Sequence, residues 1–224
     1  MRRILLIDSA GAVTSVGFAI NGRLEKALYA ENEGKFSIHE AISQLAGTGL
    51  FNLEELDAIA VTAGPGSYTG LRVAMAAAKG LCYSLGKNLI LANTLESMAR
   101  GLVLGENETA SLLCPMIDAR RDEVFMALYD RKFNMVLPPQ PLILTSDSLS
   151  EWMEKHEILF AGSGAPKWAD HSSRKVSLAA REPNVLLGLA MVADQKLING
   201  NIADLMYSEP DYLKEFYSPG SRNL

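Results

Sequence analysis

The chain has 224 residues, 48% of them hydrophobic and 21% charged, enough apolar material for one large domain or two of about 100 residues. Its net charge is −5, and the basic pairs Arg2-Arg3, Arg120-Arg121, Arg131-Lys132 and Arg174-Lys175 build into no stripe, which argues against a chain that grips a phosphate backbone unaided. No stretch approaches the roughly 18 apolar residues of a membrane span. The opening run Ile4–Ile7 meets Asp8 too early for a signal-peptide core, and Cys82 and Cys114 sit in apolar runs as reduced core residues, so a cytoplasmic protein is expected.

Arg3–Asp8, Thr14–Ile20 and Arg23–Ala30 read as three consecutive strands, with Asn21-Gly22 as the hairpin signal between the last two. Ser37-Ile38-His39-Glu40 is a capping box, and Ile38, Ala41, Ile42 and Leu45 form one stripe on the helix that it opens. Asp57–Ala63 is a strand, Thr69–Leu85 a helix and Asn88–Ala92 a strand. A second series follows in Leu112–Ala119, Glu123–Asp130 and Phe133–Leu137. Pro138, Pro139 and Pro141 are expected to end the third of these strands, and Ser148 to cap a short helix. Ile158–Ala161 is a strand leading into Gly162-Ser163-Gly164, and Pro183–Asn199 is a helix with proline early and Gly200 just past its end. Three antiparallel strands followed by helix, strand, helix, strand resembles the unit repeated in actin-like ATPases and sugar kinases. The expected fold is α/β, two tandem actin-like ATPase (ribonuclease H-like) domains over 1–100 and 101–224, the second shortened.

The connection Ala63-Gly64-Pro65-Gly66-Ser67-Tyr68-Thr69-Gly70-Leu71-Arg72 carries the sharpest signal. Three glycines and a proline between a strand and a helix make a tight turn, and Ser67 or Thr69 can cap the helix. Two readings stand at this level: an anion cradle at a helix N-terminus, or a turn that serves helix–sheet packing. It is not a P-loop, because Leu71 and Arg72 follow Gly70 where Lys-Ser/Thr is required. The dinucleotide fingerprint does not fit either, since its glycines belong beside the first strand. Ser67 misses the second glycine of the nucleophile elbow, and no histidine stands out as a base for a hydrolase. The run is similar to the Gly-Pro-Gly-Ser-Phe/Tyr-Thr-Gly-Leu-Arg signature of the TsaB (YeaZ) family of the actin-like ATPase superfamily. Ile4–Ser9, Asp118–Phe125, Gly162-Ser163-Gly164 and the tail from Pro210, with its Pro-x-Tyr ending, extend the resemblance more loosely.

Superfamily members that use ATP hold the metal and phosphates with an acidic residue and hydroxyls at the first hairpin of each domain. Asp8, Ser9 and Thr14 are the corresponding remnant here, whereas Asp118-Ala119-Arg120 lacks a glycine that would let phosphate approach. No metal site is expected, because His39, His156 and His171 are scattered and the i, i+4 pair of the catalytic relative TsaD is missing. The 69–85 helix carries only two charges in 17 residues, Arg72 and Lys79. Such a helix needs cover on more than one side, which either this chain or a partner supplies. The expected partner surface is Val73, Ala76, Ala77, Gly80 and Tyr83, with Ile38, Ala41, Ile42 and Leu45. Gly64, Pro65, Gly66, Ser67, Thr69, Gly70 and Arg72 form the signature loop.

The resemblance implies a non-catalytic scaffold without a cofactor. It would pair with TsaD, which transfers threonylcarbamoyl to the adenosine beside the anticodon of tRNA. TsaE joins that pair, tRNA is held mainly by the complex, and the isolated chain forms a homodimer through the same helices. The alternative is a small actin-like ATPase or kinase acting alone, with Asp8 and the glycine loop as its phosphate site. An older idea for relatives, peptidase activity, is disfavoured by the histidine count.

Overall fold

A strand that is apolar at every position must be covered on both faces. The first strand, β1 (Arg3–Asp8), is such a strand over Ile4–Ile7: Ile4 and Leu6 face one layer of core, Leu5 and Ile7 another. It lies at the centre of a sheet with β2 (Thr14–Ile20), β3 (Arg23–Ala30), β4 (Ala58–Gly64) and β5 (Asn88–Asn93), in the order β3-β2-β1-β4-β5. The first three strands are antiparallel, while β1, β4 and β5 run parallel. The computed structural model describes residues 1–30, 37–102 and 109–214.

One face of this sheet is covered by α1 (Ile38–Ala46) and α2 (Tyr68–Leu85). The capping box forms as expected: the Ser37 hydroxyl accepts from Glu40 N, and the Glu40 carboxylate accepts from Ser37 N. At the start of α2, Ser67 rather than Thr69 is the cap, its hydroxyl accepting from Gly70 N at 3.3 Å. Beyond β5 the chain enters α3 (Thr94–Arg100), a helix without a sequence signal strong enough to announce it.

The second sheet repeats the topology. Its strands are β6 (Leu112–Asp118), β7 (Glu123–Asp130), β8 (Met135–Ile143), β9 (Ile158–Ala161) and the two-residue β10 (Ser177–Leu178), in the order β10-β9-β6-β7-β8. The prolines do not end β8. It continues through Pro138, Pro139 and Pro141, because at the edge of the sheet a strand can lack alternate N–H donors. The expected cap of the next helix also fails. The Ser148 hydroxyl turns back to accept from Thr145 N at 2.9 Å, and α4 (Ser150–Lys155) starts after Leu149 with no side-chain cap. The last helices are α5 (Ala165–His171), whose Trp168 is fully buried under the second sheet, and α6 (Val185–Ile198).

The helix α6 packs on the first sheet, not on the second. Leu186, Leu189, Ala190, Val192 and Ala193 close the layer formed by Ile4, Leu6, Ala58, Ala60 and Ile90. It also crosses α3 at backbone contact, where a Cβ on Gly188 would lie 1.8 Å from the Ser97 carbonyl oxygen. A cut at residue 100 therefore separates the two sheets but leaves α6 on the far side of the chain from its packing partners. Between the sheets, α3 is shared: Leu95, Met98 and Ala99 pack against Ala127 and Tyr129 of β7.

Candidate functional site

The signature loop joins three segments distant in sequence. Ser67 N donates to the Ala10 carbonyl at 2.7 Å, and Asp211 N donates to the Ala63 carbonyl at 2.6 Å. Gly64 has φ +128°, and a Cβ there would stand 2.3 Å from the Asp211 carbonyl oxygen. A Cβ on Gly66 would stand 2.5 Å from the Ala10 oxygen, and one on Gly70 2.0 Å from the Ser9 oxygen. These glycines allow backbone to meet backbone. The place in front of the α2 N-terminus, where an anion would sit, is taken by the Ser9 and Ala10 carbonyls and the Ser67 hydroxyl. Of the two readings open at the sequence level, packing is the one the geometry supports.

Arg72 continues the clamp. Its guanidinium lies 4.1 Å from the Tyr68 ring centre and donates to the Tyr212 hydroxyl at 3.0 Å, while the rings of Tyr68 and Tyr212 are 5.2 Å apart. Further along α2, Lys79 Nζ donates to the carbonyls of Met206 and Ser208 at 3.2 and 3.0 Å. Both charges of α2 thus hold the 203–214 segment, and Lys214 pairs with Glu123 of the second sheet. Arg72→Ala is expected to speed amide hydrogen exchange in residues 203–214 while leaving that of β1 and β4 unchanged. Equal protection of the segment in both proteins would refute the clamp.

With the charges drawn to that flank, the outward row of α2 is uncharged. Val73 (52% exposed), Ala76, Gly80 and Tyr83 (83% exposed) lie at helical spacing on the solvent side, and nothing stands within 4 Å of where a Cβ on Gly80 would be. The rest of the expected partner surface is inside the chain. Ile38, Ala41, Ile42 and Leu45 are buried against the sheet, and so is Ala77 at 7% exposed, because the stripe of α1 meets the inner face of α2 and the strands beneath. The sequence pattern shows that these residues need cover but not which surface supplies it.

The second candidate place is a cavity of about 620 Å³ between the sheets. Of the remnant expected to face a nucleotide, Asp8 lines it; Ser9 and Thr14 do not, since their hydroxyls are 2.8 Å apart and satisfy each other across the turn. Asp8 is buried, and its Oδ1 accepts from the Thr62 hydroxyl at 2.6 Å and from Ala10 N at 3.1 Å. Burial pushes its carboxyl above the usual 3.8, with the two hydrogen bonds opposing. The folded chain therefore keeps this proton at a pH where the unfolded chain has released it. Stability falls as pH rises from the unfolded value through the folded one. Asp8→Asn keeps an acceptor for both donors and removes that penalty. Its Tm should exceed that of the parent at neutral pH, with the gain fading below about pH 4. A lower Tm at neutral pH would show that the charged form is stabilising.

On the other side of the cleft, Asp118 is tied up. Lys167 pairs with it and holds its carboxyl below the usual range, and Arg120 N donates to it at 2.7 Å. Ser163 accepts from Asp118 N at 3.1 Å, and Gly162 lets its strand end press on the Met116 carbonyl. Three of the four basic pairs are likewise engaged with their own chain, Arg2 with Asp194, Arg3 with Glu55, Arg174 with Glu154 and Arg131 with the Ala110 carbonyl. Among the described residues, no group of three or more His, Cys, Asp or Glu is placed to hold a metal ion, and no helix is long and apolar enough to cross a membrane. Burial pushes the Cys82 thiol up to about 11 and raises that of Cys114.

Two sheets of one topology, with a cleft between them and the first-hairpin carboxylate at its wall, define the α/β fold of actin-like ATPases, built on two ribonuclease H-like units. A family model for TsaD, the tRNA N6-adenosine threonylcarbamoyltransferase, matches residues 30–136. The chain is 29% identical over 224 aligned positions to the tRNA threonylcarbamoyladenosine biosynthesis protein TsaB of Escherichia coli K12, covering 95% of this chain and 94% of that one. In fold it is similar to a Pseudomonas aeruginosa protein described as uncharacterised with similarity to peptidase YeaZ, at a TM-score of 0.80 and 23% identity over 96% of this chain and 100% of that one. It also resembles the activator of 2-hydroxyisocaproyl-CoA dehydratase from Clostridium difficile, at a TM-score of 0.50 and 9% identity over 89% and 97% of the two chains. Together these likenesses support assignment to the TsaB (YeaZ) family.

Proposed function

We propose that this protein is a non-catalytic scaffold subunit of the cytoplasmic machinery that makes threonylcarbamoyladenosine in tRNA, and that it docks on TsaD through the outer row of α2. The observation that carries this reading is the uncharged face Val73, Ala76, Gly80 and Tyr83, left exposed while both charges of the helix are spent on the 203–214 segment. Small residues at this spacing let a second helix backbone come close, as core-like subunit interfaces require. The name carried by the Escherichia coli relative supports the pathway, and the TsaD family match over 30–136 supports a partner built on the same fold. TsaE joins the pair, tRNA is gripped mainly by the other subunits, and the isolated chain pairs with itself through the same face.

The rival reading, an ATPase or kinase acting alone, has against it the occupied α2 N-terminus and the engaged Asp118. Light scattering after size-exclusion chromatography tests the proposal, on the chain alone and mixed with TsaD of the same organism. The expected result is a homodimer that converts to a one-to-one heterodimer. A chain that stays monomeric and forms no heterodimer would overturn the scaffold reading.

A further inference from the structure

The cleft between the sheets is more than a decayed nucleotide site, because its wall has a chemistry of its own. Among the described residues it carries two carboxylates, Asp8 and Glu182, and no lysine, arginine or histidine. Phosphate oxygens placed there would face like charge, and at the α2 N-terminus the Ser9 and Ala10 carbonyls crowd the loop while Gly70 N already donates to Ser67. The remaining wall is largely apolar, with Ala12, Val13, Met98, Ile117 and Leu186. Its volume of about 620 Å³ falls within the range of small-molecule pockets, roughly 300–1,000 Å³.

Two of its lining residues, Asp8 and Thr94, carry buried polar groups. Asp8 is 5% exposed, and among the described residues both of its hydrogen bonds fall on Oδ1, leaving Oδ2 without one. Thr94 is 2% exposed, and its hydroxyl has no hydrogen-bond partner among the described residues. A buried hydroxyl without a partner costs about 1–3 kcal/mol, so such groups normally find one. Thr94 follows β5, and Asp8 ends β1, two strands away in the order β1-β4-β5. Two strand spacings are about 10 Å.

We propose that this cleft binds a small amine: a protonated amino group at Asp8, an apolar middle against Met98, Ile117 and Leu186, and a hydrogen-bonding group at the far end for Thr94. Glu182, exposed at the mouth, adds to the attraction for a cation. The cation would supply the opposite charge that the buried Asp8 carboxylate lacks. The inference is independent of docking on TsaD, since the cavity wall includes no residue of the α2 row.

Saturation-transfer NMR on the full chain tests it with tyramine, its uncharged isostere tyrosol, the anion 4-hydroxyphenylacetate, and ADP. Tyramine is expected to bind at least about 10-fold more tightly than tyrosol, the worth of one good ionic contact, with no binding of the two anions. Asp8→Asn should erase the preference for tyramine over tyrosol, and Glu182→Gln should reduce it. Glu182 is exposed, so that variant keeps the test open should Asp8→Asn fail to fold. The proposal is overturned if 4-hydroxyphenylacetate or ADP binds as well as tyramine, if no probe binds up to about 10 mM, or if both variants keep the full preference.

Discussion

Ala76→Glu is expected to leave the chain folded and to abolish its co-purification with TsaD, whereas Ala77→Glu, one residue on, should destabilise the chain itself. The two alanines occupy opposite sides of the α2 wall: Ala76 is exposed, and Ala77 is 7% exposed within the core that Leu5, Ile7 and Ile42 help to form. A glutamate at 76 on the monomer meets only water, and its cost to the helix is a few tenths of a kcal/mol. In the complex the same carboxylate would be buried against an apolar helix without a partner. We expect affinity to fall about 100-fold or more, a loss of roughly 3 kcal/mol. At 77 the carboxylate has neither room nor a counter-charge in the chain itself, and a cost of at least about 4 kcal/mol would lower Tm by roughly 10 °C. Circular dichroism separates the outcomes. A folded Ala76→Glu chain that still binds TsaD at parental affinity would rule out this face as the docking surface.

Gly70→Ala should be among the most destabilising single-methyl additions in the chain. Its Cβ would lie 2.0 Å from the Ser9 carbonyl oxygen, and both sides of that contact are backbone. A side chain could rotate away, but here the N-terminus of α2 must move off the β1–β2 turn. That movement stretches the Ser67 N to Ala10 O bond of 2.7 Å and disturbs the neighbouring Asp8. A loss of about 3 kcal/mol is expected from overpacking a site that cannot relax. The contrasting substitution is Gly80→Ala, where the added methyl meets nothing within 4 Å. It should stabilise the isolated chain by about 0.5–1 kcal/mol through helix propensity. If the partner's backbone approaches at this glycine, the same change should weaken the complex. Urea denaturation of both variants decides the first part: equal stability of Gly70→Ala and the parent would mean that the loop is free to shift, and that its glycines serve something other than close packing.

The glycine loop illustrates how a motif can be legible before its reason is. Gly64-Pro65-Gly66-Ser67-Tyr68-Thr69-Gly70 is recognisable from residue order alone, and the strand, turn and helix around it follow from local propensity. That it binds the chain's own Ser9, Ala10 and Asp211 rather than a phosphate depends on segments some 55 residues before it and 145 residues after it. Tyr212 is another case. It was visible as part of a tail pattern, yet its partner Arg72 belongs to the loop signature, so the two motifs turn out to be halves of one clamp. The signal for Thr94 was absent altogether, since a threonine after a strand is unremarkable until its hydroxyl is found buried and unpaired at a cavity wall.

Local rules suffice for the strands β1 to β3 with their Asn21-Gly22 hairpin, the Ser37 capping box, the long α2, and the recurrence of a second series of strands. Period, caps and turn residues act over a few positions, and they are written in neighbouring side chains. Tertiary structure alone decided which apolar faces are covered from within. The stripe of α1 and Ala77 is buried, the row from Val73 to Tyr83 is exposed, β8 runs through its prolines as an edge strand, and α6 returns to the first sheet. Burial depends on which distant segment lies opposite, and an apolar residue states only that it should be covered, never by what.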